Sequence, residues 1–247
     1  MKSFKTLFKT ELKLSLRGMD MFIFSICMPI IAIVILGVIF GNKLAFSGAN
    51  YTFFEQSFSA VSTIAICAGG VMGLPLVIAD YRNKKILKRF KVTPIKPSVL
   101  LLVQLSIYAL YSIVSLILLY LVSSLFFNYT MQGSVILFLG SYLLVMISIF
   151  SIGLVIGGVS PNMKMASVIA SLVYFPMLIF SGATIPYEIM PQSLQSLANI
   201  FPLTQGIKFL KAASLGTSIE QVFLPVLIMI AISFICATIS VKFFRWE

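Results

Sequence analysis

The stretch "SFSAVSTIAICAGGVMGLPLVIADYRNKKILKRFKVTPIKP", residues 57–97, joins two segments that require different solvents. Residues 57–79 carry no charge. From Asp80 to Pro97 the chain then holds seven Lys and Arg and one Asp, and a second apolar run begins at 99. A hydrocarbon core of roughly 30 Å is crossed by about 20 apolar residues in a helix. The stretch therefore reads as a crossing, a charged hinge left in water, and a return.

The same reading extends along the chain. Runs at 22–40, 57–79, 99–126, 133–158, 165–182 and 222–241 are each too continuously apolar for a soluble amphipathic helix. The composition agrees, with 60% hydrophobic and 10% charged residues among 247 and a mean hydropathy of +1.07. A soluble domain is about a quarter charged. Backbone groups in lipid must pair within their own segment, which requires helices here, and the alternation of a membrane barrel strand is missing. The first run is longer than the roughly 7–15 residues of a signal peptide's apolar region and has no small-residue cleavage site, so it is read as a retained span. The expected fold is an all-α membrane protein with six transmembrane helices. Residues 1–20 form an N-terminal interfacial helix, and 21–247 form one six-span domain.

Charge gives the orientation. With six alternating spans, fifteen of the 18 cationic side chains fall on one side: the five of the N-terminal segment, the seven of the 80–97 loop, Lys164, Lys242 and Arg245. Lys43, Lys208 and Lys211 fall on the other. The positive-inside rule then places both termini and the basic loop in the cytoplasm. On this basis alone the loop would be a topology anchor that attracts anionic lipid, at about 1 kcal/mol per cation. Its pattern allows more. Ile86, Leu87 and Phe90 share one helical face and Arg82, Lys85 and Arg89 another, with Pro94 and Pro97 ending the turn. Such a helix fits a groove on a soluble partner. The leader is amphipathic too, with Phe4, Leu7, Phe8, Leu12 and Leu14 opposite Lys9, Lys13 and Arg17, as in a helix lying in the interface.

Several chemistries are disfavoured. There is no His, and none of the seven carboxylates lies well inside a span, which argues against a proton-coupled pump. Sodium sites built from carbonyls and hydroxyls stay open. General acid–base catalysis lacks its usual groups, so neither an enzyme nor a catalytic residue is expected. Cys27, Cys67 and Cys236 are isolated, without metal spacing. No phosphate-binding G-x-x-x-x-G-K-[ST] loop and no nucleic-acid module is present. Gly69 and Gly73, like Gly153 and Gly157, are four apart and suit close helix packing, within one subunit or at a dimer seam. Pro29, Pro75 and Pro176 are expected to kink their spans. Residues 183–219 are too polar to span and too apolar for a plain loop. They read as two short helices, with Leu194, Leu197 and Phe201 on one stripe before Pro202 and Ile207, Leu210 and Lys211 after it. Either a hairpin dips into the outer leaflet or a pair lies flat.

Two stretches carry a family resemblance. "KILKRFKVTPIKPSVLL" (85–101) resembles the cytoplasmic coupling segment of the membrane subunits of bacterial type-2 ABC exporters, the class that includes antibiotic-resistance permeases. "LVIGGVSPNMKMASVIASLVYFPMLIFSGATIPYEIMPQSLQSLANIFPLTQGIKFLK" (154–211) is similar to their signature region, with its Ser-Gly turn, Pro-containing external hairpin and Pro-Leu-Thr. Asp80 stands alone where the family often has an acidic pair. The resemblance implies that Arg82, Lys85, Ile86, Leu87, Arg89 and Phe90 couple to an ATPase. It also implies an external re-entrant hairpin containing Pro186, Glu188, Leu194, Leu197, Phe201 and Pro202. Two ABC ATPase subunits would bind ATP and Mg, with no cofactor held by this chain. A second membrane subunit, identical or homologous, would complete the pathway in the bacterial plasma (inner) membrane. The implied cargo is an amphiphilic drug, antibiotic or antimicrobial peptide. Lipid-linked glycan export, an ion-coupled transporter acting alone and a membrane scaffold are the alternatives.

The charge split has a direct check. Single cysteines at Ser47 and Ser193 should react with an impermeant thiol reagent added to sealed cells, and one at Asn83 should not. Labelling at Asn83 would invert the orientation.

Overall fold

The computed structural model describes residues 2–41, 43–46, 48–86, 97–182, 187, 190–216 and 223–243. Helix α1 is Lys2–Gly18. Helix α2 runs continuously through Asp20–Phe22, a π-turn at Ile23–Cys27, and Met28–Phe40. Helix α3 is Phe53–Asn83, with a π-turn at Ala68–Gly73. Then follow α4 (Pro97–Phe127), α5 (Val135–Val159), α6 (Met163–Phe180), α7 (Gln192–Ala198), α8 (Pro202–Leu215) and α9 (Phe223–Phe243). Six of these, α2 to α6 and α9, are long and apolar enough to cross a membrane. The protein is an all-α membrane protein.

The boundaries follow local chemistry. Helix α3 begins four residues before its apolar run because Thr52 and Glu55 form a capping box. The Thr52 hydroxyl accepts the Glu55 N–H at 3.1 Å, and the Glu55 carboxylate accepts the Thr52 N–H at 2.7 Å. At the other end Lys84 caps the helix and Lys85 turns left-handed at φ 56°. The Ser134 and Asn162 side chains cap α5 and α6. Each π-turn ends two residues before a proline, Pro29 or Pro75. A proline ring clashes with the carbonyl four residues back and cannot donate to it. The wider π-turn makes room for the ring, so these two prolines are accommodated by local widening. Pro176 lies inside α6 without such a turn.

Helix α3 is the axis. In its most apolar stretch 78% of residues are buried, against 17% in α6 and in α9. Helices α2, α4, α5, α6 and α8 all pack on it, and α9 lies along α5. The glycines explain how so many neighbours fit. A Cβ on Gly153 of α5 would fall 1.9 Å from the Gly70 carbonyl oxygen, so the two backbones touch there. One turn on, a Cβ on Gly157 would lie 3.1 Å from Pro75. Gly69 and Gly73 face a different side, against Ser25 and Met21 of α2 and Tyr108 of α4. Both glycine pairs thus make contacts inside this chain. Hydroxyls add ties: Tyr142 donates to the Ser112 carbonyl at 2.7 Å, and Ser148 to the Met229 carbonyl at 3.1 Å.

Helix α1 packs Phe4, Leu7, Phe8 and Leu12 against this core, while Leu14 is exposed, so Leu14 leaves the apolar face expected for it.

The backbone contact sets a contrast within α5. Gly153→Ala should destabilise the detergent-solubilised protein by about 3 kcal/mol or more, the upper range of overpacking. Gly140→Ala, where nothing lies within 4 Å of the added Cβ, should be neutral or stabilising by up to ~1 kcal/mol. Equal thermal midpoints for the two variants would show that α3 and α5 separate freely.

Candidate functional site

The end of α3 that leads into the basic loop is a junction of four helices. Arg82 is 6% exposed. Its guanidinium donates to the Gly158 carbonyl at 3.0 Å and to the Ser160 carbonyl, at the end of α5. The last carbonyls of a helix lack intrahelical donors and carry partial negative charge, so they suit a buried cation. Ser160 completes the cap, with its N–H and hydroxyl both on the Ile156 carbonyl. The sequence reading set Arg82 beside Lys85 on an exposed basic face. The structure separates them: Arg82 turns inward under α5, and Lys85 is exposed.

The neighbouring Tyr81 points the other way. Its hydroxyl donates to the Glu11 carboxylate of α1. Gln104 of α4 donates to the same Glu11 oxygen at 2.9 Å and contacts the Tyr81 oxygen at 2.8 Å. One turn along, the Tyr111 hydroxyl donates to Ser15 at 2.9 Å, a second tie between α4 and α1. Adjacent residues of α3 thus hold α1 and α4 on one side and α5 on the other. Glu11, Tyr81, Gln104 and Ser160 were not singled out from sequence. The available signal was a lone acid on a basic and apolar leader and a lone amide at a span end. Asp80 pairs with Lys84 at 2.7 Å, and Ile86 is half-buried. Leu87, Arg89 and Phe90 lie outside the described residues.

At the opposite end, α8 is packed inside the helix bundle. A Cβ on Gly206 would lie 3.0 Å from Val145 and 3.2 Å from Thr63. Thr63 is nearly three turns into α3, or roughly 15 Å along it at 1.5 Å per residue. The Ser214 hydroxyl meets that of Ser59 at 2.8 Å. Phe201 stacks on Phe180 with centroids 6.0 Å apart, and Pro202 opens α8. Leu194 and Leu197 of α7 are exposed. Pro186 and Glu188 lie outside the described residues. Lys43, Lys208 and Lys211 each sit over an aromatic ring, those of Phe40, Tyr187 and Tyr51, at 5.9, 3.6 and 4.5 Å from the centroids.

The family model described as ABC-2 type transporter matches residues 2–215. The chain belongs to the ABC-2 type transporter family. It is 31% identical over 91 residues to nodulation protein J of Rhizobium leguminosarum bv. viciae, covering 36% of this chain and 35% of that protein. It is 30% identical over 115 residues to the inner membrane transport permease YhhJ of Escherichia coli K12, covering 46% of this chain and 31% of the relative. A YhhJ permease of Shigella flexneri matches equally. The matched region thus spans about a third of each curated relative's length.

As an ABC-2 permease the chain is a transmembrane subunit of an ABC transporter. One surface of this permease stands out: a groove of about 540 Å³ between α2, α3 and α6, lined by Phe24, Met28, Ile64, Met72, Tyr174 and Phe175 among others. The lining is almost wholly apolar, and the π-turns of α2 and α3 both border it through Phe24, Ala68 and Met72.

Arg82→Gln removes a charged fork from two buried carbonyls. Hydrogen bonds to charged groups contribute about 1.5–3 kcal/mol. The thermal midpoint of Arg82→Gln in detergent should drop well below that of the unmodified permease, with Arg82→Lys between the two. An unchanged Arg82→Gln midpoint would mean that the fork does not hold α5.

Proposed function

We propose that this permease exports amphiphilic compounds outward across the bacterial plasma membrane, driven by two separate ABC ATPase subunits that supply ATP and Mg binding. The observation that carries this reading is the junction at Tyr81 and Arg82. A segment that grips an ATPase can move the spans only if its root is fastened to them. This root is tied to α1, α4 and α5 by hydrogen bonds, immediately before the loop whose apolar ridge and basic flank suit docking.

The remaining features support the same reading. By their sequence spacing Ile86, Leu87 and Phe90 would form the ridge and Lys85 and Arg89 the basic flank, with Arg82 anchoring the joint from behind. The groove of α2, α3 and α6 is the face for a second membrane subunit, identical or homologous, with the cargo path at that seam. Helices α7 and α8 form an external re-entrant hairpin, in keeping with the contacts of Gly206 nearly three turns along α3. The basic loop and both termini face the cytoplasm. An apolar, charge-free seam suits an amphiphile such as a drug, an antibiotic or an antimicrobial peptide.

Phe90→Ala removes the aromatic knob while leaving every span intact. Truncating such an anchor commonly costs ~2 kcal/mol or more, which is about thirtyfold in affinity. ATPase subunits should no longer co-purify with Phe90→Ala, and substrate-stimulated ATP hydrolysis should be lost. Lys84→Ala gives up only an exposed ion pair, of at most ~1 kcal/mol, and should assemble normally. If Phe90→Ala assembles and transports normally while Lys84→Ala does not, charge rather than the ridge makes the joint.

A further inference from the structure

A second cavity, of about 600 Å³, opens at the loop end between α1, α2, α3 and α4. Its size suits a small-molecule ligand. Its walls are of two kinds. Leu14, Met21, Leu76 and Val77 supply apolar lining, and the Tyr108 ring lies against Gly73. Glu11 and Asp80 supply carboxylates to the same lining.

Among the described residues, carboxylates outnumber cations in the cavity's lining, at an end of the chain that is otherwise basic. The chain is +11 overall, yet two of its seven carboxylates line one cavity. Among the described residues, the only cation in the lining is Lys84, which is paired with Asp80. Nearby cations are directed elsewhere: Lys13 and Arg17 are exposed and outside the lining, and Arg82 is turned under α5. Glu11 is held by Tyr81 and Gln104 through one oxygen, Oε2. Its Oε1 has no hydrogen-bond partner among the described residues. The carboxylate is thus fixed in place with an unused acceptor, beside an aromatic ring and an apolar wall.

We infer that this cavity binds an amphiphile with an ammonium head group, the head between Glu11 and the Tyr108 ring and the tail along Leu14, Met21 and Leu76. Opposite charge and a ring face are the two features that recognise an ammonium group. An anionic head group would meet Glu11 and is disfavoured, although anionic lipids suit the exposed lysines around it. The further role of the site, capture of cargo before transport, rests on the export reading. Binding itself does not.

The test is displacement of a fluorescent quaternary ammonium amphiphile from the purified full chain in neutral detergent, with dodecyltrimethylammonium or dodecyl sulfate as competitor. Dodecyltrimethylammonium should displace the probe and dodecyl sulfate should not. Glu11→Gln keeps the shape and the acceptor for Tyr81 but loses the charge, and it should weaken binding about tenfold, or 1.4 kcal/mol. Glu55→Gln, at the opposite end, should bind as the unmodified chain does. Leu14→Trp, on the exposed face of α1, leaves the polar ties intact and should also weaken binding by filling the mouth, which decides the matter if Glu11→Gln does not fold. Equal displacement by dodecyl sulfate, or unchanged affinity in the folded variants, overturns the site. Weakened binding in Glu11→Gln together with no ammonium export by the complex of the unmodified chain leaves the site standing and removes its role in cargo capture.

Discussion

The contact of Gly153 with the Gly70 carbonyl governs the rest of the architecture. Apolar side chains gain nothing by leaving lipid for each other, so helices associate in a bilayer through close packing and hydrogen bonds. Two backbones in contact give the closest packing available. They bring α5 against the π-turn of α3 and so place the carbonyl end of α5 within reach of Arg82. Without that approach the guanidinium would have no partners under α5, and burying it would be costly.

Polar groups on α3 are graded along its length. Toward the Thr52 end, Ser57, Ser59, Ser62 and Thr63 are all buried, with Ser57, Ser62 and Thr63 donating to the Phe53, Phe58 and Ser59 carbonyls and Ser59 meeting Ser214 of α8. The middle is glycine and the wide turn. At the far end Tyr81 and Arg82 make the long-range ties. The helix is thus a spine with hydroxyl contacts at one end, backbone contacts in the middle and charge-assisted contacts at the other.

How much of this could be read from residues alone varied with the range of the interaction. The six spans rest on apolar length, a local property, and all six are present. The start of α3 was missed by four residues because a capping box overrides hydropathy at Thr52 and Glu55. The inward turn of Arg82 was not legible, since its partners are 76 and 78 residues away and its neighbours in sequence are all basic or polar. Helix α8 reversed the usual pattern. Its polar residues Thr204, Gln205 and Ser214 are buried with its apolar ones, and Ser214 meets Ser59 of α3, so the two open readings, a dipping hairpin or a flat pair, could not be separated by amphipathicity alone. Glu11 was overlooked on α1 because a single acid among lysines looks like charge balance until Tyr81 and Gln104 converge on it.

The separation of Arg82 from its carbonyls also has a meaning in time. Gly158 and Ser160 are synthesised after Arg82 by as many residues as separate them in the chain. Until α5 arrives, Arg82 is one more solvated charge in the cluster that biases how a nascent hairpin inserts. Once α5 docks, that charge is withdrawn from the water. On the cytoplasmic placement of this loop proposed above, the same side chain would serve first as a topogenic signal and later as a clasp, two duties separated in time.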